Sequence, residues 1–185
     1  TNTLKDVVFT NMGTGFFPAV QQAASSTYFY LDTIKVRRIK TGGLYATSSV
    51  AFSITNLEIS DIDDLKDIRM FNYNATTTLV NSTFNTTALQ FNGSGSGRVE
   101  RAFTVDLTIV DTLGAPISGA SVTLKDKNGN TLAGYPKTTG ADGKIGTQTI
   151  TTDYYNYNNP SGITFNSHSL TVTATGKIDY SQTLD

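Results

Sequence analysis

One nine-position pattern organises the first half of the chain: apolar, any, small polar, apolar, any, apolar, any, any, apolar. It fits residues 4–12, 31–39, 54–62 and 65–73, and a shorter copy begins at Leu79, where Ser82 occupies an apolar position. The starts lie 27, 23, 11 and 14 residues apart. With the copy at Leu65 set on a second face of the same turn, the spacings become 27, 23 and 25, as in a solenoid. The 23-residue step aligns Phe29 with Phe52, Leu31 with Ile54, Ile34 with Leu57, Val36 with Ile59 and Ile39 with Ile62. It also sets Lys35, Arg38 and Lys40 against Glu58, Asp61 and Asp63. Strands stacked about 4.8 Å apart would gather the apolar residues inside and pair the opposite charges outside. No stretch of 12 residues has helical periodicity, and residues 17–26 read as a connecting loop with at most one helical turn.

The composition changes at residues 91–97, a Gly/Ser-rich run that fits a flexible bend or the tip of a long loop. Beyond it, residues 102–110 alternate apolar and polar side chains, as a half-buried strand does. Gly114-Ala115-Pro116 reads as a strand-ending turn, Gly119-Ala120 as a close contact between layers, and Asn128-Gly129-Asn130 and Asp142-Gly143 as tight turns. Further strands are expected at residues 146–152, 167–174 and 178–184.

The Leu-x-Asp/Asn-apolar-x-apolar pattern of the first ~90 residues resembles part of a right-handed parallel β-helix of the pectin-lyase-like type. A β-sandwich with fortuitous periodicity is the alternative. Residues 103–185 carry Asp111-x-x-Gly114-x-Pro116, Gly119-Ala120-x-Val122 and Thr139-x-x-Asp142-Gly143-Lys144. These resemble the carboxypeptidase-regulatory-like, immunoglobulin-like β-sandwich, a resemblance that implies binding, spacing or stiffening instead of catalysis. The expected fold is therefore all-β, with a solenoid and its hinge over residues 1–97 and a sandwich over residues 98–185. The first strand pattern starts almost at residue 1, with no capping segment, so an added strand or a further domain is expected to cover that end. The opening Thr suggests a processed chain or a piece of a longer one.

Composition narrows the chemistry. The 185 residues include 31 Thr, 15 Ser, 14 Asn, no Cys, no Trp and one His. That excludes disulfides, thiolate metal sites, a cysteine nucleophile and any site needing two histidines. A formal charge of −1 gives no bulk attraction for nucleic acid or an anionic membrane. No apolar run approaches the ~20 residues of a membrane span, and the N-terminus lacks the basic and apolar regions of a signal peptide.

No catalytic residue or cofactor is expected. Asp61, Asp63 and Asp64, with Asp67, are the densest acidic group and the weak candidates for a Ca²⁺ site; the competing reading is that they answer Lys35, Arg37, Arg38 and Lys40 one turn away. Residues 126–130 open like a calcium loop, but Gly129 stands fourth instead of sixth and no Glu closes it, so a hairpin turn is expected. Four glycosylation sequons begin at Asn74, Asn81, Asn85 and Asn92. Three to four would arise by chance in this composition, but their confinement to 19 residues fits an exposed, glycan-bearing flank. Tyr154, Tyr155 and Tyr157, interleaved with Asn, suit either contact with a sugar or partner or a loop packed on its own sandwich. His168 lies between serines without an acidic neighbour in sequence and reads as structural.

Together these features suggest a non-catalytic extracellular structural or adhesive glycoprotein of the cell surface, a filament or sheath subunit joined to copies of itself or other surface proteins by strand pairing. The alternatives are a polysaccharide-binding or polysaccharide-processing module and a trimeric viral spike fragment.

Overall fold

The computed structural model describes residues 2–10, 29–39, 43–46, 51–63, 65–71, 75–92 and 96–184. Within them the secondary structure is all strand, without a helix. The readings at residues 17–26, Lys40, Asp64 and Asn74 lie outside the described residues. The chain divides into two compact units, Thr1–Phe103 with Asp153–Ile163, and Thr104–Thr152 with Thr164–Asp185. The tyrosine-bearing segment thus groups with the first unit, whereas the sequence pattern assigns all of residues 98–185 to the second. The residue 97 boundary also differs: residues 98–103 continue the first unit, because the strand they form extends its ladder.

In the first unit, β1 (Asn2–Thr10), β2 (Phe29–Ile39), β4 (Phe52–Thr55), β7 (Thr76–Val80) and β9 (Arg98–Val105) neighbour one another in that order, all in parallel. The next neighbour of β9 is β12 (Gln148–Asn156), which runs past the end expected at residue 152. Leu4 pairs with Leu31, Leu31 with Ile54, Ile54 with Leu79 and Leu79 with Arg101. β5 (Glu58–Ile62) runs beside the second half of β2 with the expected 23-residue register, Lys35 opposite Glu58 and Val36 opposite Ile59. A separate parallel sheet contains β3 (Leu44–Ala46), β6 (Ile68–Phe71) and β8 (Leu89–Asn92). The copy of the pattern at Leu65 therefore pairs Ile68 with Leu44 in that second sheet, as its offset of 11 demands.

The small polar position of the repeat has a definite conformational role. Asp6, Thr33, Asn56 and Asn81 occupy it in four copies of the repeat, and all four adopt left-handed backbone, with φ of 55°, 55°, 54° and 49°. Arg38 and Asp61 form a second left-handed column, each with φ 54°. Asn and Asp tolerate this region because their short polar side chains bond locally; Thr33, being β-branched, adopts it under strain. Asp32 braces that corner, accepting hydrogen bonds from Asn56 Nδ2 at 2.9 Å and Thr33 Oγ1 at 3.0 Å, with Lys5 Nζ 3.4 Å away. These partners, Asn56 foremost, then Thr33 and Lys5, hold its carboxyl below the usual carboxylate range.

Between the bends the side chains alternate. Ile34, Val36, Ile39, Leu44, Ile54, Leu57, Ile59, Ile62, Ile68, Leu79 and Val99 form one buried cluster. Ser82 interrupts the apolar rule without leaving a polar orphan: its buried hydroxyl accepts from Leu57 N–H at 3.0 Å and donates to Val80 O at 2.9 Å. Gly43 must be small, since a Cβ there would lie 2.6 Å from both Ile59 Cγ2 and Asp67 O.

The second unit is built on an antiparallel sheet in the order β11 (Lys137–Thr138), β10 (Ser121–Lys125), β14 (His168–Thr173), β15 (Tyr180–Leu184). Ala120, Val122, Leu124, Ile150, Leu170 and Val172 make its core. Gly140-Ala141-Asp142-Gly143 closes a tight turn, with Gly143 N–H donating to Gly140 O at 3.0 Å. The short β13 (Ile163–Thr164) follows β12 in sheet order and straddles the division between units.

Candidate functional site

Three groups singled out in the sequence meet in the first unit. Asp67, buried, accepts a hydrogen bond through Oδ2 from Asn85 N–H. Thr86, the next residue, hydrogen-bonds the phenol of Tyr155 through its side chain. Tyr155 is only 5% exposed, and burial, then the nearby Asp153, raises its phenol above the ordinary value. The acidic group, one sequon and the tyrosine segment thus share a structural knot.

The remaining acidic residues are placed differently. Asp61 is exposed at a left-handed bend and Asp63 is exposed in a turn, its N–H donating to Ile39 O at 2.9 Å. Among the described residues no group of three or more His, Cys, Asp or Glu is arranged to hold a metal ion. Asp126 directs its carboxylate inward on its own hairpin, accepting from Asn128 N–H, Asn130 N–H and Asn130 Nδ2 at 2.9 to 3.0 Å. Those bonds, the one from the Asn130 side chain first, hold its carboxyl low.

The tyrosines separate into three roles. Tyr155 is core. Tyr154 lies under the Arg98 guanidinium, 5.3 Å from its centroid, a cation–π contact. Tyr157 is 52% exposed at a tip closed by paired backbone bonds between Asn156 and Asn159. Asn156 Oδ1 also accepts from Asn159 N–H at 2.8 Å, so these asparagines shape the turn.

Sequence reasoning missed an ionic group beside this segment. Arg101 donates from Nε at 2.9 Å and Nη2 at 2.6 Å to Asp153 Oδ2, while Glu100 engages Arg98 and Thr78. The 52-residue separation of Arg101 and Asp153 leaves no local signal, although the register of Arg101 against Leu79 follows from continuing the repeat.

No family model, curated protein or solved structure matches the chain.

In the second unit His168 is 3% exposed, its Nδ1 lies 3.2 Å from Asn166 Oδ1, and its buried Nε2 has no partner among the described residues. Burial lowers its pKa, opposed by the nearby Asp126 carboxylate. The neutral ring with Nδ1–H donating to Asn166 satisfies this arrangement; protonation would strand an N–H in the core. The unfolded chain takes up this proton near pH ~6.5 and the folded chain only at lower pH. Stability of the second unit is therefore expected to fall as pH drops below ~6.5, by at most ~1.4 kcal/mol per pH unit for one proton. Urea midpoints measured between pH 7.5 and 4.5 check this, and His168→Gln is expected to flatten the slope.

Proposed function

We propose that this chain is a non-catalytic structural or adhesive module of the extracellular surface, a short parallel β-helix-like stack followed by an immunoglobulin-like sandwich, which joins copies of itself by strand addition. The observation that carries the reading is the open edge of β15. Its five residues, Tyr-Ser-Gln-Thr-Leu, include no charge, Pro or Gly, and the first four are exposed. Soluble proteins ordinarily blunt such an edge with charge, proline, a bulge or brevity, as β11 does here with two residues. An antiparallel pair centred on Gln182 sets Tyr180 against Leu184 of the second copy and Ser181 against Thr183, both favourable cross-strand pairs.

Among the described residues the outer edge of β1 is also unpaired. Pairing through both the β1 and the β15 edge would support a linear polymer, whereas pairing through one alone would stop at a dimer. A polysaccharide-directed site is less well supported, because Asp67 and Tyr155 face inward and are engaged within the fold.

Light scattering across a concentration series tests the proposal. The expected result is a mass that rises with concentration, is held at no more than a dimer by Ser181→Lys with Thr183→Lys, and is restored by Ser181→Lys with Thr183→Glu. The first pair sets like charges opposite each other and the second sets opposite ones. A chain that stays monomeric to about 1 mM overturns it.

A further inference from the structure

We propose that Asn85 is the sequon that the folded chain presents for N-linked glycosylation. Asn81 and Asn85 both open Asn-x-Thr sequons and Asn92 an Asn-x-Ser one, and the three asparagines, all described, differ in geometry. Asn85 and Thr87 are exposed while Thr86 between them is half-buried against Tyr155, so the anchoring residue turns inward and the two reacting residues outward. Ala88 N–H donates to Asn85 O at 3.0 Å, closing a turn that brings Thr87 back to Asn85. Thr87 then donates to Asn85 Oδ1 from its backbone N–H at 3.0 Å and from Oγ1 at 2.8 Å. Both donors act on the carbonyl oxygen, polarising the amide, and Nδ2 has no partner among the described residues.

The other two are bound into sheets. Asn81 occupies a left-handed corner, half-buried, with its N–H on Ala102 O. Thr83, its sequon partner, exchanges ladder bonds with Leu57 and Ile59. Asn92 lies in β8 opposite Phe71, half-buried, its Oδ1 accepting from Gln90 Nε2 at 3.1 Å. Presenting either asparagine requires breaking strand pairing.

The reaction joins Asn85 Nδ2 to the anomeric carbon of a polyprenyl-pyrophosphate oligosaccharide. The carbon–oxygen bond to the pyrophosphate breaks, the lipid pyrophosphate departs with that electron pair, and the Nδ2 proton passes to a carboxylate of the transferase. The proposal adds a modification to the reading of an exported surface protein and rests on it for cellular context. The assay on purified protein depends on the fold alone, so its failure is separate from failure of the association test.

The folded protein is incubated with a single-subunit oligosaccharyltransferase and a polyprenyl-pyrophosphate oligosaccharide, and glycopeptides are quantified by mass spectrometry. A synthetic peptide of residues 78–95 serves as the unfolded control. Asn85 is expected to be modified at least about tenfold faster than Asn81 or Asn92 in the folded protein, the population penalty for opening ladder hydrogen bonds. In the peptide that preference should collapse. Thr87→Ser should retain modification at Asn85, and Thr87→Ala should lose it. Equal rates at the three asparagines in the folded protein, or an unmodified Asn85 where the peptide is modified, overturns the proposal.

Discussion

Truncating Leu57 to Ala is expected to cost the first unit about 2–5 kcal/mol, the range for a fully buried Leu whose cavity cannot collapse. Leu57 is 1% exposed, in the column that runs through Ile34, and its N–H and C=O are both bonded, to Ser82 Oγ and Thr83 N–H. The strand cannot move inward to fill the gap without surrendering those bonds. Glu58→Gln, one residue on and pointing outward, is the control. It removes a 2.7 Å contact with Lys35, but both side chains are about half exposed. Such a pair is worth less than ~1 kcal/mol. Hydrogen exchange of residues 52–62 and urea unfolding measure both. A Leu57 variant no more harmful than Glu58→Gln would show that the aligned apolar column is not a core.

The second large effect is expected at Gly143. This residue is buried with φ +73°, and an added Cβ would run into Ile109 O and lie 3.1 Å from Pro116 Cβ. Neither obstacle is the end of a flexible chain, and Ile109 N–H itself donates to Gly143 O at 2.8 Å. Gly143→Ala therefore combines a left-handed backbone cost of ~1–2 kcal/mol with overpacking of ~1–3 kcal/mol. Gly146 separates the two contributions. It has the same φ of +73°, and a methyl group added there would meet nothing within 4 Å, so Gly146→Ala should show only the backbone part. Thermal unfolding of the pair is the measurement, and equal losses would exclude the steric contribution.

The legibility of the chain differs by element. The register of β2 against β4 and β5 can be read in advance because identical side-chain roles recur every 23 residues and the opposite charge of Lys35 and Glu58 recurs with them. The bend at Asp6, Thr33, Asn56 and Asn81, the third position of four copies, is visible in the sequence only as a preference for small polar residues; that it is left-handed emerges from the fold. Ser82 reads as a flaw because a sequence pattern scores side chains, whereas Ser82 is there for the backbone N–H of Leu57. The sequons are equally legible and therefore undiscriminating. Exposure and backbone pairing, which the fold sets, distinguish Asn85 from Asn81.

By itself the sequence determined that this is a strand-built protein without thiol chemistry, that its first half stacks parallel segments, and that Asp142-Gly143 makes a turn. Each of these depends on neighbours along the chain or on a fixed repeat, which periodicity records. The tertiary structure alone decided that residues 153–163 group with the first unit, that Arg101 meets Asp153, that Tyr155 is buried while Tyr157 is exposed, and that His168 is enclosed. Those outcomes are set by pairings between residues tens of positions apart, whose energies depend on burial and geometry, and local composition carries no trace of either.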